Sequence, residues 1–205
     1  MTPSSQQVPK RMARLEKTLP DYLRPGLDIV SIGINPSIYS VEKGFAFARP
    51  GNRFWPAFNA AHLVPAAFVP GRIAVETLFR EHGIGFTDIV KRPTTMANEL
   101  TKEDYARGAK ALKKKLLRHQ PRIAWFQGKD AWKMFLEHAL DTRRKVEPGV
   151  QPESIGSTRV FVTPNPSGAN PAANPQALLA HFIALRKFRD HLQACRQVPA
   201  IAMLY

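Results

Sequence analysis

Two Asn-Pro-Ser turns hold the side chains in this chain best placed to do chemistry. They are Ile34-Asn35-Pro36-Ser37 and Thr163-Pro164-Asn165-Pro166-Ser167-Gly168. Each ends a run rich in apolar and β-branched residues, 27–34 and 159–163, and such runs read as buried strands. Proline has no N–H for a ladder and restricts the residue before it, so Asn35-Pro36 must break its strand. The result is a polar amide at the carboxyl end of a core strand, where open α/β sheets bind their ligands. One Asn-Pro alone is more simply a turn starter. The same turn at the end of a second strand predicts two walls of one site. A third run, 84–90, delivers the carboxylate of Asp88 and then Lys91-Arg92-Pro93-Thr94 into a loop.

The scaffold for these groups is bounded by composition. A chain of 205 residues fits one domain and can bury a real core. Thirty Lys and Arg against 16 Asp and Glu give a net charge of +14, which points to a polyanionic partner, nucleic acid before an acidic membrane. Architectural binding would carry the same charge, so charge selects no chemistry. Cys195 stands alone, which excludes an internal disulfide framework and an all-Cys zinc or iron–sulfur site within one chain. No stretch has the length of a membrane span and the amino end lacks a signal peptide's apolar core, so a reducing cytoplasm is expected.

Residues 1–24 read as a basic lead-in, Lys10, Arg11, Arg14 and Lys17 making either a short surface helix or a flexible arm. Residues 25–195 read as one α/β domain and 196–205 as an apolar tail. Ser40 to Asn52 reads as a loop whose Phe45 and Phe47 either fold onto the core or offer a ring on which a planar base stacks. Asn52 can cap a helix bearing Phe54, Phe58 and His62. Val75, Leu78, Phe79 and His82 stripe another. Thr101-x-x-Asp104 resembles a capping box opening the helix of Tyr105, Ala109, Leu112 and Leu116. A strand at 123–127 ends at Gly128-Lys129, followed by a helix striped by Trp132, Phe135 and Leu136. Residues 141–156 read as a charged loop. Leu178, Phe182, Leu185 and Leu192 give the last helix its buried face. Four strands alternating with helices imply a three-layer α/β fold, a mostly parallel four-stranded sheet flanked by helices.

Gly33-Ile34-Asn35-Pro36, Gly44-Phe45-Ala46-Phe47-Ala48-Arg49-Pro50 and Asn52-Arg53-Phe54-Trp55 together resemble the mismatch-specific uracil-DNA glycosylase and thymine-DNA glycosylase family. So do Arg92-Pro93-Thr94, Ala97-Asn98-Glu99, Gln127-Gly128-Lys129, and Ile155-Gly156-Ser157-Thr158 leading to Asn165-Pro166-Ser167-Gly168. The motifs keep their order from about residue 27 to 191. The resemblance implies a uracil-DNA glycosylase-like fold and monofunctional hydrolysis of the N-glycosidic bond of a mispaired or damaged base, U:G foremost. It implies no metal and no redox cofactor. The implied partner is double-stranded DNA containing uracil or a mispaired base, met by a monomer at the bacterial nucleoid and at no membrane. Such an enzyme takes the base out of the stack at a cost of a few kcal/mol, lower for a mispair.

By resemblance, Asn35 holds the attacking water, the backbone at Ile34 and the Asn165 turn meet the base, and Phe47 is the ring on which it stacks. Ser37 and Ser40 line the same turn and could hydrogen-bond the base or a phosphate. The segment Ser167, Gly168, Ala169 and Asn170 enters the gap left in the duplex, and Lys129 is either a phosphate contact or a surface lysine. Three positions depart from the family pattern. Ser37 stands where glycine is frequent, Ala169 where a larger apolar wedge is common, and Asp88 where relatives do not reliably carry an acid. An amide can orient water but cannot take its proton, whereas a carboxylate can, which contributes about 10² to 10⁴-fold. Asp88 is therefore a candidate base or oxocarbenium stabiliser beside Asn35, the alternative being an ion pair with Lys91 or Arg92. Two other classes stay open. One is a catalytically inactive DNA-binding protein on the same fold. The other is a nucleotide-handling enzyme, for which no Gly-rich phosphate loop is present.

Overall fold

The parallel strands change character along one face, and that change positions the site. In the computed structural model, which describes residues 18–168, 170 and 174–197, β1 (Ile29–Gly33), β2 (Ile84–Asp88), β3 (Ile123–Gln127) and β5 (Thr158–Thr163) run parallel, and β4 (Gly149–Ile155) adds antiparallel at the edge. The order is β2-β1-β3-β5-β4. Side chains alternate across a strand. Val30, Ile32, Ala124, Phe126, Val160 and Val162 therefore enter one core with helices α4 (Lys102–His119) and α5 (Lys129–Ala139). Ile29, Ile84, Phe86, Ile123, Trp125 and Phe161 enter the opposite core with α2 (Phe54–Ala60), α3 (Arg72–Glu81) and α6 (Pro175–Gln197). The result is the expected three-layer, mostly parallel α/β fold.

On that second face the apolar residues give way to polar ones toward the carboxyl ends: Ser31 and Gly33 on β1, Asp88 on β2, Gln127 on β3, Thr163 on β5. Buried polar groups must find partners there. The Trp125 indole N–H donates to Thr163 Oγ1 at 2.9 Å, Thr163 donates to Gln127 Oε1 at 3.3 Å, and Gln127 Nε2 donates to Ser31 Oγ at 3.0 Å. This row ties β5, β3 and β1 together below the site. Phe54 anchors the layer above it, fully buried and ringed by Phe47, Trp55, Phe58, Trp125 and Phe182. Its loss to alanine would cost about 3–5 kcal/mol.

Three expectations change. The sheet has five strands, because part of the segment read as a loop over 141–156 is β4. Its exposed alternate positions, Pro152 and a register shift between Val150 and Ser154 hide the strand's period. The loop read from Ser40 begins instead as helix α1 (Ile38–Lys43), which Ser37 caps by accepting the Ser40 N–H. The lead-in also becomes a packed strap from Thr18: Tyr22 pairs antiparallel with Phe86 on the free edge of β2. The basic residues 10–17 and the tail from 198 lie outside the described residues. Elsewhere the capping box is present, Thr101 and Asp104 exchanging hydrogen bonds at 3.2 and 3.0 Å. Among the described residues no helix is long and apolar enough to cross a membrane.

Candidate active site

Asn35 leaves β1 beside the exit of β2. The Ile89 and Val90 N–H groups donate to the carbonyls of Gly33 and Ile34, both at 2.9 Å, so the two strands stay paired past their ends. The chain then runs alongside residues 36–38, with Thr94 N–H on the Pro36 carbonyl and Ile38 N–H on the Thr94 carbonyl. Between these tracks the Asn35 amide donates to the Arg92 carbonyl at 3.0 Å and to Thr94 Oγ1 at 2.7 Å. A backbone carbonyl only accepts, so the amide nitrogen must face it. Oδ1 is thereby left over, accepting from no described residue. The side chain is an oriented acceptor. It can hold a water by its proton.

Asp88 sits opposite Gly33 in the β1–β2 register. A Cβ at position 33 would lie 2.5 Å from Asp88 Oδ1, so the glycine lets the carboxylate lie against β1. Of the two ion pairs weighed for Asp88, the one with Lys91 is present only as a long contact and the one with Arg92 is absent. Lys91 Nζ is 4.0 Å from Asp88 Oδ2 but 2.9 Å from Asp21, and Arg92 turns away to Asp104. The Asp88 side chain is 14 % exposed and accepts no hydrogen bond from a described residue. Burial pushes its pKa up to about 6, with Lys91 opposing and Asp21 reinforcing the rise.

Phe47 adopts φ 58°, a left-handed conformation rare for a bulky residue. The contacts that hold it there are Trp55 Nε1 on the Ala46 carbonyl at 3.2 Å, Ala48 N–H on Ser40 Oγ at 3.3 Å, and a stack on Phe54 at 4.1 Å and 12°. One face of Phe47 lies on the core, and the residue also lines the cavity. Strained backbone held in place this way is frequent at ligand sites.

The second turn closes against the first loop. Arg53 N–H donates to the Pro166 carbonyl at 2.9 Å and Arg53 Nη1 to the Asn170 carbonyl at 3.2 Å. A Cβ on Gly168 would meet the Gly51 carbonyl at 2.7 Å, so only glycine permits that approach. Asn165 shapes its own turn, Oδ1 accepting the Ser167 N–H at 3.0 Å and its carbonyl accepting Asn170 Nδ2 at 3.3 Å.

One cavity of about 450 Å³, within the usual size of ligand sites, is lined by Ile34, Asn35, Ser37, Ser40, Phe47, Asp88, Asn165, Ser167 and Asn170. Nine of the sequence-predicted site residues thus share one space. The Ser37 and Ser40 hydroxyls are already 3.0 Å apart and engaged in building α1. Lys129 lies apart from the cavity lining, 53 % exposed with Glu147 at 3.9 Å, and Gly168 is likewise absent from the lining. Ala169 lies outside the described residues.

Sequence reasoning gave no role to Thr94 and Arg53, although both stand in the quoted motifs, nor to Gln127 and the strap residues Leu19, Pro20 and Tyr22, which also line the cavity. The signal for Thr94 was its place after Arg92-Pro93. The strap carried none. Among the described residues no group of three or more His, Cys, Asp and Glu side chains could hold a metal ion.

Comparisons with known proteins agree with the fold. The solution NMR structure of a "putative Uracil DNA glycosylase" from Methanosarcina acetivorans is 20% identical, with a TM-score of 0.53 over 85% of this chain and 98% of that one, which supports the fold. The family profile described as Uracil DNA glycosylase superfamily matches residues 20–187, which is most of the chain and takes in all of the cavity lining but Leu19. The chain belongs to the uracil DNA glycosylase superfamily, and membership supports a DNA glycosylase role.

Proposed function

We propose that the protein is a monofunctional glycosylase that hydrolyses the N-glycosidic bond of uracil flipped out of mispaired double-stranded DNA, leaving an abasic site. The observation that carries this reading is the pairing of an acceptor-only Asn35 Oδ1 with an unbonded, weakly acidic Asp88 carboxylate in one cavity. The leaving base departs as an anion while the sugar becomes oxocarbenium-like, so a water must be held at C1′ and lose its proton as it attacks. Asn35 accepts one water hydrogen and aims the lone pair. Asp88 takes the proton or stabilises the developing cation, and a base whose pKa lies near the working pH suits the task. The Phe47 ring, backed by Phe54, offers a platform worth about 1–3 kcal/mol of stacking.

The segment 165–170, pinned by Arg53, is the part that enters the duplex, and Lys129 steadies a neighbouring phosphate. The +14 charge supplies affinity without sequence preference.

The test is a labelled duplex with uracil opposite each base in turn, run with and without alkali. Strand breakage only after alkali is the expected outcome, strongest for U:G. Breakage without alkali would mean lyase chemistry, and retarded mobility without breakage would mean a binding protein.

A further inference from the structure

Asp88 owes its environment to a residue far from it in sequence. The strap is fastened at both ends: Thr18 Oγ1 donates to the Lys91 carbonyl at 2.6 Å, and Tyr22 exchanges backbone hydrogen bonds with Phe86 at 2.9 and 3.3 Å. Gly85 permits that approach, since a Cβ there would meet the Tyr22 carbonyl at 2.2 Å. Between the two fastenings Asp21 accepts from Thr87 Oγ1 at 2.6 Å and binds Lys91 Nζ at 2.9 Å through one oxygen, and Lys115 Nζ at 2.5 Å through the other. Among the described residues, the charged groups facing Asp88 are these same three: Lys91 on its own connection, Asp21 on the strap and Lys115 on α4.

We propose that Asp21 is a positioning residue for the reaction, drawing Lys91 to itself at 2.9 Å and holding it 4.0 Å from Asp88, so that the Asp88 carboxylate has no close counter-ion and is left to accept a proton. This rests on the reading of Asp88 as the base. The geometry makes the competition explicit. Lys91 carries one ammonium for two carboxylates, and the strap carboxylate wins it by more than an ångström. If Asp21 lost its charge, Lys91 would face Asp88 alone, and an opposite charge within about 4–6 Å lowers an acid's pKa by about 1–3 units. A less basic carboxylate is also a weaker proton acceptor. Asp21 itself lies below the usual carboxylate range, Lys115 and Lys91 outweighing its burial, so it stays charged across the working range.

The experiment measures the pH profile of kcat on a U:G duplex and, independently of activity, the Asp88 carboxyl carbon shift by NMR, in wild type and variants. Asp21→Asn keeps the acceptor for Thr87. It should lower the acid limb and the Asp88 titration by about 1 unit or more, with the plateau of kcat reduced several-fold and KM little changed. Asp21→Glu should restore both. Lys91→Met should move limb and titration the opposite way. A purely structural Asp21 would lower stability and leave both midpoints where they are, and that result overturns the proposal. So does a Lys91→Met titration that does not rise, even if Asp21→Asn fails to fold. Full activity of Asp88→Asn would instead overturn the reading of Asp88 as base. The carboxyl titrations would then still decide whether Asp21 governs Asp88, but the proposed role in the reaction would fall with that base.

Discussion

Asp88 and Asp104 flank one connection, the first ending β2 and the second opening α4, and their charged forms are treated in opposite ways. Their side chains are 14 % and 9 % exposed. Asp104 accepts from Arg92 Nη2 at 2.7 Å, Arg92 Nε at 3.2 Å and the Thr101 N–H at 3.0 Å. The Arg92 hydrogen bonds hold it down at about 2, and the Thr101 backbone bond adds to them. Asp88 accepts nothing from a described residue and is pushed up to about 6. Two causes separate them: burial raises Asp88 with no donor to offset it, whereas at Asp104 the Arg92 and Thr101 donors outweigh burial, so only the cavity carboxylate is left for a water to satisfy. They also act on Asn35 from two sides: Arg92, held by Asp104, presents the carbonyl that orients the amide, and Asp88 faces the space the amide addresses.

The comparison breaks most sharply at Asp88→Asn. Loss of the base should reduce kcat by about 10² to 10⁴-fold. Stability should move the other way. A carboxyl whose folded pKa lies above its unfolded value of 3.8 favours the folded state at low pH, and that contribution disappears as pH rises through about 6. At pH 7.5 the wild type therefore carries a penalty on the order of 2–3 kcal/mol that the variant lacks. Urea unfolding should find Asp88→Asn more stable at pH 7.5 and equal to wild type below about pH 4.

Asp104→Asn should show the reverse pattern. A depressed carboxyl stabilises the fold above its unfolded pKa and loses that contribution as pH falls through about 2. The variant should lose on the order of 1 kcal/mol at neutral pH, solvent screening part of the pair, with the deficit closing as the wild type is acidified from about pH 5 to 2. Activity should fall only about tenfold, because Arg92 keeps its bond to the Glu99 carbonyl at 2.8 Å and the Asn35 acceptor loosens without leaving. A loss of activity equal to that of Asp88→Asn would erase the distinction between the two carboxylates.

The fold and part of this contrast were legible in sequence because they are local or periodic. The apolar runs give β1, β3 and β5, Asn-Pro ends two of them, and Thr101 and Asp104 announce their cap three residues apart. The rest is tertiary. Whether Asp88 is paired depends on Asp21, 67 residues earlier along the chain, in a segment whose composition reads as solvated lead-in. Edge strand β4 escaped because half its residues face solvent and Pro152 interrupts its pattern. Asn35 was singled out by its Asn-Pro turn and Phe47 by the resemblance of its loop to a known family, and both line the cavity. The donor geometry of the first and the left-handed backbone of the second are set by partners that no local pattern names.

Phe47→Ala tests the cavity while sparing both carboxylates. The variant gives up a stacking surface worth about 1–3 kcal/mol per base, so KM for the uracil duplex should rise roughly 5- to 150-fold. The pH midpoints of kcat should stay where they are. The stack on Phe54 is lost, yet the strain of φ 58° remains with any residue but glycine, so the thermal midpoint should fall. A shifted acid limb would mean that Phe47 shields Asp88 from water rather than carrying the base.

Thr94→Val isolates the remaining tether of Asn35 and should have the smallest effect. Thr94 is 3 % exposed, and its hydroxyl accepts the second Asn35 N–H at 2.7 Å. Valine matches its shape but leaves that N–H without a partner in a half-buried site, a cost of about 1 kcal/mol. The Arg92 carbonyl still fixes which atom of the amide faces the cavity, so the acceptor is kept and only its angular freedom grows. The expected result is a five- to tenfold fall in kcat at unchanged KM, with the acid limb still near the Asp88 value. Valine contributes no charge, so it cannot imitate a change at either carboxylate. A limb that moved would mean the hydroxyl belongs to the Asp88 side of the site; one that stays would place Thr94 with Arg92 and Asp104, among the groups that aim the water rather than deprotonate it.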